Sequence, residues 1–343
     1  MTLTILEKVS LQPYNSLALP AEAEFFCAVD NQAQLLEASA FARARGMAVT
    51  PLGGGSNLVL AGDIAGLVML VQLKGVSHRL EKASVDVTFA AGENWHDQVQ
   101  QCLQQGWYGL ENLSLIPGNM GAAAIQNIGA YGVELADRFV SLNAIDKQSG
   151  EMVEFDKAAC DFGYRDSLFK NTARDRYIIV DICLRLSLEP QINIDYPALQ
   201  AAVDQHLGSG AEITPALVSA MVCQIRSEKL PDPNVIANAG SFFKNPIIPR
   251  AQAQELSQQY PQMPRYPQAN GDSKVPAGWL IEQCGFKGAV RGSVGVHQQQ
   301  ALVLINFGGG SGAQLLALAD ELCTAVLARF SIQLEIEPRV YGS

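Results

Sequence analysis

Apolar and polar positions alternate between two periods along the first third of the chain. "DNQAQLLEASAFARARG", with apolar Leu35, Leu36 and Phe41, predicts a helix capped by Asp30 and stopped at Gly46. "MAVTPLG" predicts a strand, "GLVMLVQL" a short buried strand, and the alternation in "SVDVTFAAG" a third. "NWHDQVQQCLQQG" predicts a helix capped by Asn94 and ended by Gly106. Further on, "FVSLNAIDKQSGEMVEF" reads as a hairpin turning at Ser149 and Gly150, and "RYIIVDICLRL" as a strand. "TPALVSAMVCQIRSEKL" reads as a helix with Thr214 as cap and Pro215 in its first turn. Pro231 and Pro233 then break the pattern and mark a domain boundary. Helices follow at "AQAQELSQQY", "AGWLIEQCG" and "SGAQLLALADELCTAVLARF", with strands at "QALVLINF" and "IQLEIEPRV". No internal repeat is visible, and the mixture predicts an α+β protein of two or three domains.

Composition narrows the function. A net charge of −10 disfavours nucleic acid and anionic membranes as partners, so an anionic ligand must be held by local cations and backbone N–H groups. No apolar run approaches the ~18–20 residues of a membrane span. Glu7 interrupts the only early apolar stretch and no basic segment precedes it, so no signal peptide is expected. Seven scattered cysteines without a C-x-x-C pair argue against disulfides or zinc and for a cytoplasmic setting. His78, His96, His206 and His297 lack metal-ligand spacing, so no metal is expected and ordinary polar roles are.

Two glycine loops carry the chemistry. "PLGGGSNLVL" places Gly53, Gly54 and Gly55 after a strand, followed by Ser56 and Asn57. Successive glycines let backbone N–H groups converge on an anion. A strand follows instead of a helix, which rules out the dinucleotide fingerprint, and no Gly-Lys-Ser/Thr makes it a P-loop. A tight turn is the alternative. "LSLIPGNMGAAAIQNIGAYGVEL" is long, uncharged and rich in glycine and alanine, which is uncommon without a role. A packed Gly/Ala turn is its alternative. Together the loops, about 60 residues apart, fit a cofactor whose diphosphate is cradled by amides.

"GGGSN", "IPG", "IQNIGAYG", "FGYRDSLFK", "KLPDP", "GSFFKNP" and "AGWLIEQCG" stand in the order found in UDP-N-acetylenolpyruvoylglucosamine reductases, which the chain resembles from Tyr14 to Gly342. "INIDYPALQ" resembles the tyrosine loop of the longer subtype. The resemblance implies a vanillyl-alcohol-oxidase-type FAD-binding fold of two α+β subdomains plus a C-terminal α+β substrate-binding domain. Residues 1–73 with 332–343 are expected to form the first subdomain, 74–230 the second, and 231–331 the substrate domain. It further implies bound FAD, NADPH as reductant, the enolpyruvyl ether of UDP-N-acetylglucosamine as a small-molecule substrate, and a monomer. A flavin-dependent sugar or alcohol oxidase on the same fold, or a nucleotide-binding regulator without chemistry, are the rival readings.

In that reaction hydride reaches the terminal vinyl carbon and charge builds on its neighbour and the carboxylate, so the site needs a cation and a positioned acid. By resemblance Ser241 is the proton donor, Arg165 the carboxylate partner and Glu337 a second acid. The plain alternatives are a backbone-bonded strand serine, a surface pair of Arg165 with Asp166, and a solvent-facing edge. This chain reads Glu335-Ile336-Glu337-Pro338-Arg339 where relatives have Glu-Pro-Glu-Val-Arg, so Glu335 remains a rival. The resemblance assigns FAD to Gly53, Gly54, Gly55, Ser56, Asn57, Ile116, Pro117, Gly118, Gly121, Ala122, Ala123, Gln126, Ile128, Gly129, Arg226 and Arg339. It assigns substrate to Tyr164, Tyr196, Lys229, Asn245 and Gln300. Ala122, Ala123 and Ala124 stand where many members carry hydroxyls and a proline, and Pro197 replaces a usual glycine after Tyr196.

Overall fold

The computed structural model describes residues 3–207 and 212–342. It divides into two compact units, each assembled from separate stretches of chain. The first takes Met1–Val9, Ala23–Gly54 and Ile64–Glu228; the second takes Ser10–Glu22, Gly55–Asp63 and Lys229–Ser343.

In the first unit a four-stranded sheet runs Leu6–Ser10, Glu22–Val29, Ile64–Val71, Val49–Leu52, with the last three strands parallel. Ile64–Val71 is apolar almost throughout because a central parallel strand is covered on both faces. Helix α1 (Gln32–Ala44) buries Leu35, Ala38 and Ala42 in the core. Its cap is Asn31, whose Oδ1 accepts the Gln34 N–H at 3.0 Å, and not Asp30 as the pattern predicts. Asp30 instead donates its own N–H to Gln34 Oε1. Five antiparallel strands form the second sheet, in the order Met152–Asp156, Phe139–Asp146, Tyr177–Ser187, Ser84–Ala90, Val76–Leu80. Gly150, at φ +80°, makes the predicted turn between the first two.

Helix α2 (Trp95–Gln104) starts at Asn94, whose Oδ1 accepts from the Asp97 N–H. A single helical turn, α3 (Met120–Ala123), lies in the second glycine loop. Helices α4 (Pro197–Leu207) and α5 (Pro215–Lys229) share a satellite core of Leu199, Val203, Val218, Met221, Val222 and Ile225, on which Tyr131 packs. Pro197 opens α4, where a missing N–H costs nothing.

The second unit centres on an antiparallel sheet in the order Ala237–Ser241, Val303–Asn306, Val294–Val296, Val290–Arg291. Helices α6 (Arg250–Gln259), α7 (Ala277–Gln283) and α8 (Gly312–Phe330) complete it, the last with a reciprocal Ser311–Gln314 cap. The predicted strand over "IQLEIEPRV" is mostly unpaired. Ile332 and Leu334 are buried as alternation requires, but only Ile336 bridges a neighbour, Phe243, before Arg339–Tyr341 pairs in parallel with Leu58–Leu60. Among the described residues no helix is long and apolar enough to cross a membrane.

Candidate active site

The two glycine loops meet in the first unit. A Cβ at Gly54 would stand 3.0 Å from Gly118 Cα and 3.2 Å from Asn119 Oδ1, and one at Gly53 would lie 3.8 Å from Asn119 and 3.9 Å from Ala122. The missing side chain at Gly54 lets the two backbones approach this closely, whereas a Cβ at Gly53 would meet its neighbours at ordinary contact distance. The amides of Gly54, Gly118 and Asn119 donate to no protein acceptor among the described residues. Converging amides without acceptors are the donor set that a diphosphate needs, so the loops fit the FAD that the fold implies. Gly121 serves packing as well: its Cβ would fall 2.6 Å from that of Ala91. Ile128 directs its side chain into the core. Asn119 is absent from the sequence-derived set; only its place in "PGNMG" pointed to it.

Cations gather beyond the second loop. Arg165 adopts φ +54°, rare for any residue with a side chain, and its Nη2 donates to Gly129 O at 2.5 Å. Its guanidinium also lies 5.4 Å from the Tyr164 ring. Arg226 projects from α5 close enough to be repelled by Arg165, and burial first, then that repulsion, lower its pKa. Its Nε donates to Leu115 O at 3.2 Å, and among the described residues it has no carboxylate partner. Two guanidiniums held near one another cost free energy that an anionic ligand would offset. Tyr131 completes this wall. Burial raises its phenol pKa while Arg226 opposes the shift, and its ring meets Tyr196 edge-on at 5.3 Å. Ile116 and Gln126 are half-buried and Pro117 exposed along the same loop. Lys229, at the end of α5, is exposed.

In the second unit, Ser241 ends a strand interrupted by a bulge between Asn238 and Ser241. Buried Asn238 holds the bulge: its Nδ2 donates to Pro231 O and Ile236 O at 3.1 and 2.8 Å, and its Oδ1 accepts from the Gly240 N–H at 2.9 Å. Gly240 takes φ +69°, and a Cβ there would meet nothing within 4 Å, so space lies open beside Ser241. The Ser241 hydroxyl bonds to no protein group among the described residues. Phe242 and Phe243 behind it are fully buried and pack edge-to-face at 5.4 Å.

The rival carboxylates separate here. Glu335 is exposed and forms an ion pair with Lys244. Glu337 donates its backbone N–H to Phe242 O at 2.9 Å, which sets it beside the residue that follows Ser241. Asn245 Oδ1 accepts the Ala277 N–H at 2.9 Å, supplying the cap that Pro276 cannot, and Gln300 Oε1 lies 3.0 Å from where a Gly278 Cβ would be. Both predicted substrate contacts thus meet the start of α7. Arg339 donates its N–H to Asn57 O at 3.1 Å and lies over the Tyr341 ring. Gly55 is structural: a Cβ would fall 2.0 Å from Tyr14 O. Ser56, beside it, is half-buried.

Comparison with known proteins decides the family. Residues 23–156 match the model of an FAD binding domain, and 232–341 that of the UDP-N-acetylenolpyruvoylglucosamine reductase C-terminal domain. A UDP-N-acetylenolpyruvoylglucosamine reductase of Pseudomonas aeruginosa is 48% identical over 99% of this chain and 100% of its own. The chain belongs to this reductase family. A relative of the same name from Chromobacterium violaceum is 47% identical over the same shares. The crystal structure of the Thermus caldophilus reductase shares the fold, with a TM-score of 0.68 at 22% identity over 99% of this chain and 100% of its own. A solvent-stable cholesterol oxidase superposes with a TM-score of 0.50 at 15% identity over 98% of this chain and 87% of its own, so the two share a fold. Family members are FAD-dependent oxidoreductases that use NADPH.

Proposed function

We propose that this chain reduces the enolpyruvyl ether of UDP-N-acetylglucosamine to UDP-N-acetylmuramate, in peptidoglycan precursor synthesis, with FAD bound and NADPH as reductant. The observation that carries this reading is full-length identity of 48% with a named reductase. The bare amides of Gly54, Gly118 and Asn119 support cofactor binding, and the Arg165 and Arg226 cluster supports anionic ligands, the substrate carboxylate at Arg165 and the cofactor at Arg226.

When bound, FAD supplies the two-electron relay that brings hydride from NADPH to the terminal vinyl carbon. Arg165 holds the substrate carboxylate, whose charge rises as the neighbouring carbon becomes an enolate. Ser241 gives its proton to that carbon, forming the new C–H bond; the enolate is basic enough to take it from a hydroxyl. Glu337 serves as the second acid, and Glu335 is committed to Lys244. Buried Phe242 and Phe243 keep the Ser241 backbone rigid. Tyr164, Tyr196, Lys229, Asn245 and Gln300 bind the sugar nucleotide. The division into two FAD subdomains and a substrate domain, a monomeric state and a cytoplasmic location belong to the same reading; the free thiols of all seven cysteines support the last.

The test is spectroscopic. Purified protein should be yellow, bleach with NADPH under anaerobic conditions and recover its colour on addition of the enolpyruvyl substrate. A protein that takes up no FAD, or whose reduced flavin responds to oxygen and not to this substrate, overturns the reading.

A further inference from the structure

We propose that His96 is a positioning residue for the cofactor loop: by accepting the Leu115 N–H it locks the left-handed turn that leads into Ile116, Pro117 and Gly118. This rests on the reading of the Gly54 and Gly118 loops as the FAD site.

Leu115 has φ +57°, a conformation that a leucine rarely adopts and that its surroundings must enforce. Both of its peptide groups are gripped from outside the loop. His96 Nδ1 accepts the Leu115 N–H at 2.9 Å, and Arg226 Nε donates to the Leu115 carbonyl at 3.2 Å. The first turn of α2 reaches the same loop on either side. The Trp95 indole donates to Leu113 O at 2.8 Å, and the Trp95 N–H donates to Gly118 O at 3.0 Å. Trp95 and His96 therefore fix the loop at three points, Leu113, Leu115 and Gly118, and Gly118 lies directly against Gly54.

Of these attachments only the His96 bond depends on a titrating acceptor. An imidazolium has no lone pair at Nδ1 and cannot accept the Leu115 N–H. The charged groups acting on the ring are Asp97 on its own helix, which favours the cation, and Arg226 from α5, which opposes it. Burial adds to the opposition and is the largest influence, so the pKa lies below the ordinary histidine value. A lowered histidine pKa means that the folded loop binds fewer protons than the unfolded chain. Its hold is therefore complete above about pH 6.5 and is lost as pH falls through the lowered value.

The experiment titrates FAD onto flavin-stripped protein, read by quenching of flavin fluorescence between pH 7.5 and 5.5, with thermal melts of each ligand-free protein. The wild type, His96→Asn and His96→Ala are compared. The Asn amide oxygen occupies the place of Nδ1 and does not titrate. Wild-type affinity should fall as pH drops toward the lowered value, by up to about tenfold, as expected for one part-buried hydrogen bond unmade. His96→Asn should bind within about threefold of wild type at pH 7.5 and stay flat to pH 5.5; His96→Ala should be about tenfold weaker at both. An Asn variant that follows the wild-type acid loss, or an Ala variant that binds as tightly as wild type at pH 7.5, overturns the assignment. Should the Ala variant not fold, the Asn comparison decides alone. A wild type that takes up no FAD at any pH removes the cofactor reading and this inference with it; tight binding by an acid-sensitive Asn variant removes this inference only.

Discussion

Replacing Ser241 by alanine separates folding from chemistry more cleanly than any other change in the site. The hydroxyl bonds to no protein group among the described residues, so its loss leaves no buried donor or acceptor behind. Backbone geometry is set by Asn238 and Gly240, which remain. Stability should therefore stay within about 0.5 kcal/mol of wild type, a melting shift of about 1–2 °C. Loss of a general acid costs about 10²-fold or more, or about 2.7 kcal/mol in the barrier. Anaerobic stopped-flow absorbance follows each half-reaction separately. Bleaching by NADPH should keep nearly its wild-type rate, and recovery of colour with the enolpyruvyl substrate should slow at least ~10²-fold. Wild-type recovery would take Ser241 out of the mechanism. A melting point lowered by several degrees would show that the hydroxyl has a structural partner, against the geometry described.

Arg165→Ala should raise the barrier for substrate reduction by about 3 kcal/mol, as for a lost oxyanion donor, and an unchanged kcat would count against its pairing with the carboxylate. Asn238→Ala strands Pro231 O, Ile236 O and the Gly240 N–H, so a loss of about 2–4 kcal/mol is expected from urea unfolding; a midpoint unchanged from wild type would mean the bulge holds itself. Asp86 accepts both Arg185 nitrogens, at 2.6 and 2.7 Å, and those bonds hold its carboxyl pKa below the usual carboxylate range. Its stabilisation is thus present above about pH 4 and lost as pH falls through the lowered value. Asp86→Asn should be less stable near neutrality yet lose less on going to pH 3, and parallel urea profiles for the two proteins would refute the linkage.

Elements with strong periodicity were legible in the sequence, and pairing was not. Alternation in "IQLEIEPRV" correctly buried Ile332 and Leu334, but alternation carries no information about a neighbour, and only Ile336 found one. The start of α1 offered two adjacent capping residues, Asp30 and Asn31, and the choice between them depends on how the Gln34 side chain folds back. The motifs supplied the candidate residues but did not show that Gly54 touches Gly118, because that contact joins loops distant in sequence. Nor did they mark His96, which a helical pattern reads as one more polar position. Its partner is revealed only by the backbone angle of Leu115. Spacing to Arg339 favoured Glu337 over Glu335, and it could not show that exposed Glu335 forms an ion pair with Lys244.

The unit that carries Ser241 draws Ser10–Glu22 and Gly55–Asp63 from the front of the chain and the rest from its far end. Leu58–Leu60 pairs with Arg339–Tyr341, which the ribosome makes roughly 280 residues later. At about 5–20 residues per second the nascent Leu58, Val59 and Leu60 wait unpartnered for tens of seconds, a period in which a holding chaperone has an apolar segment to bind. A premature stop just short of Arg339 would leave that early segment orphaned for good, so damage near Arg339 should be felt at Leu58–Leu60.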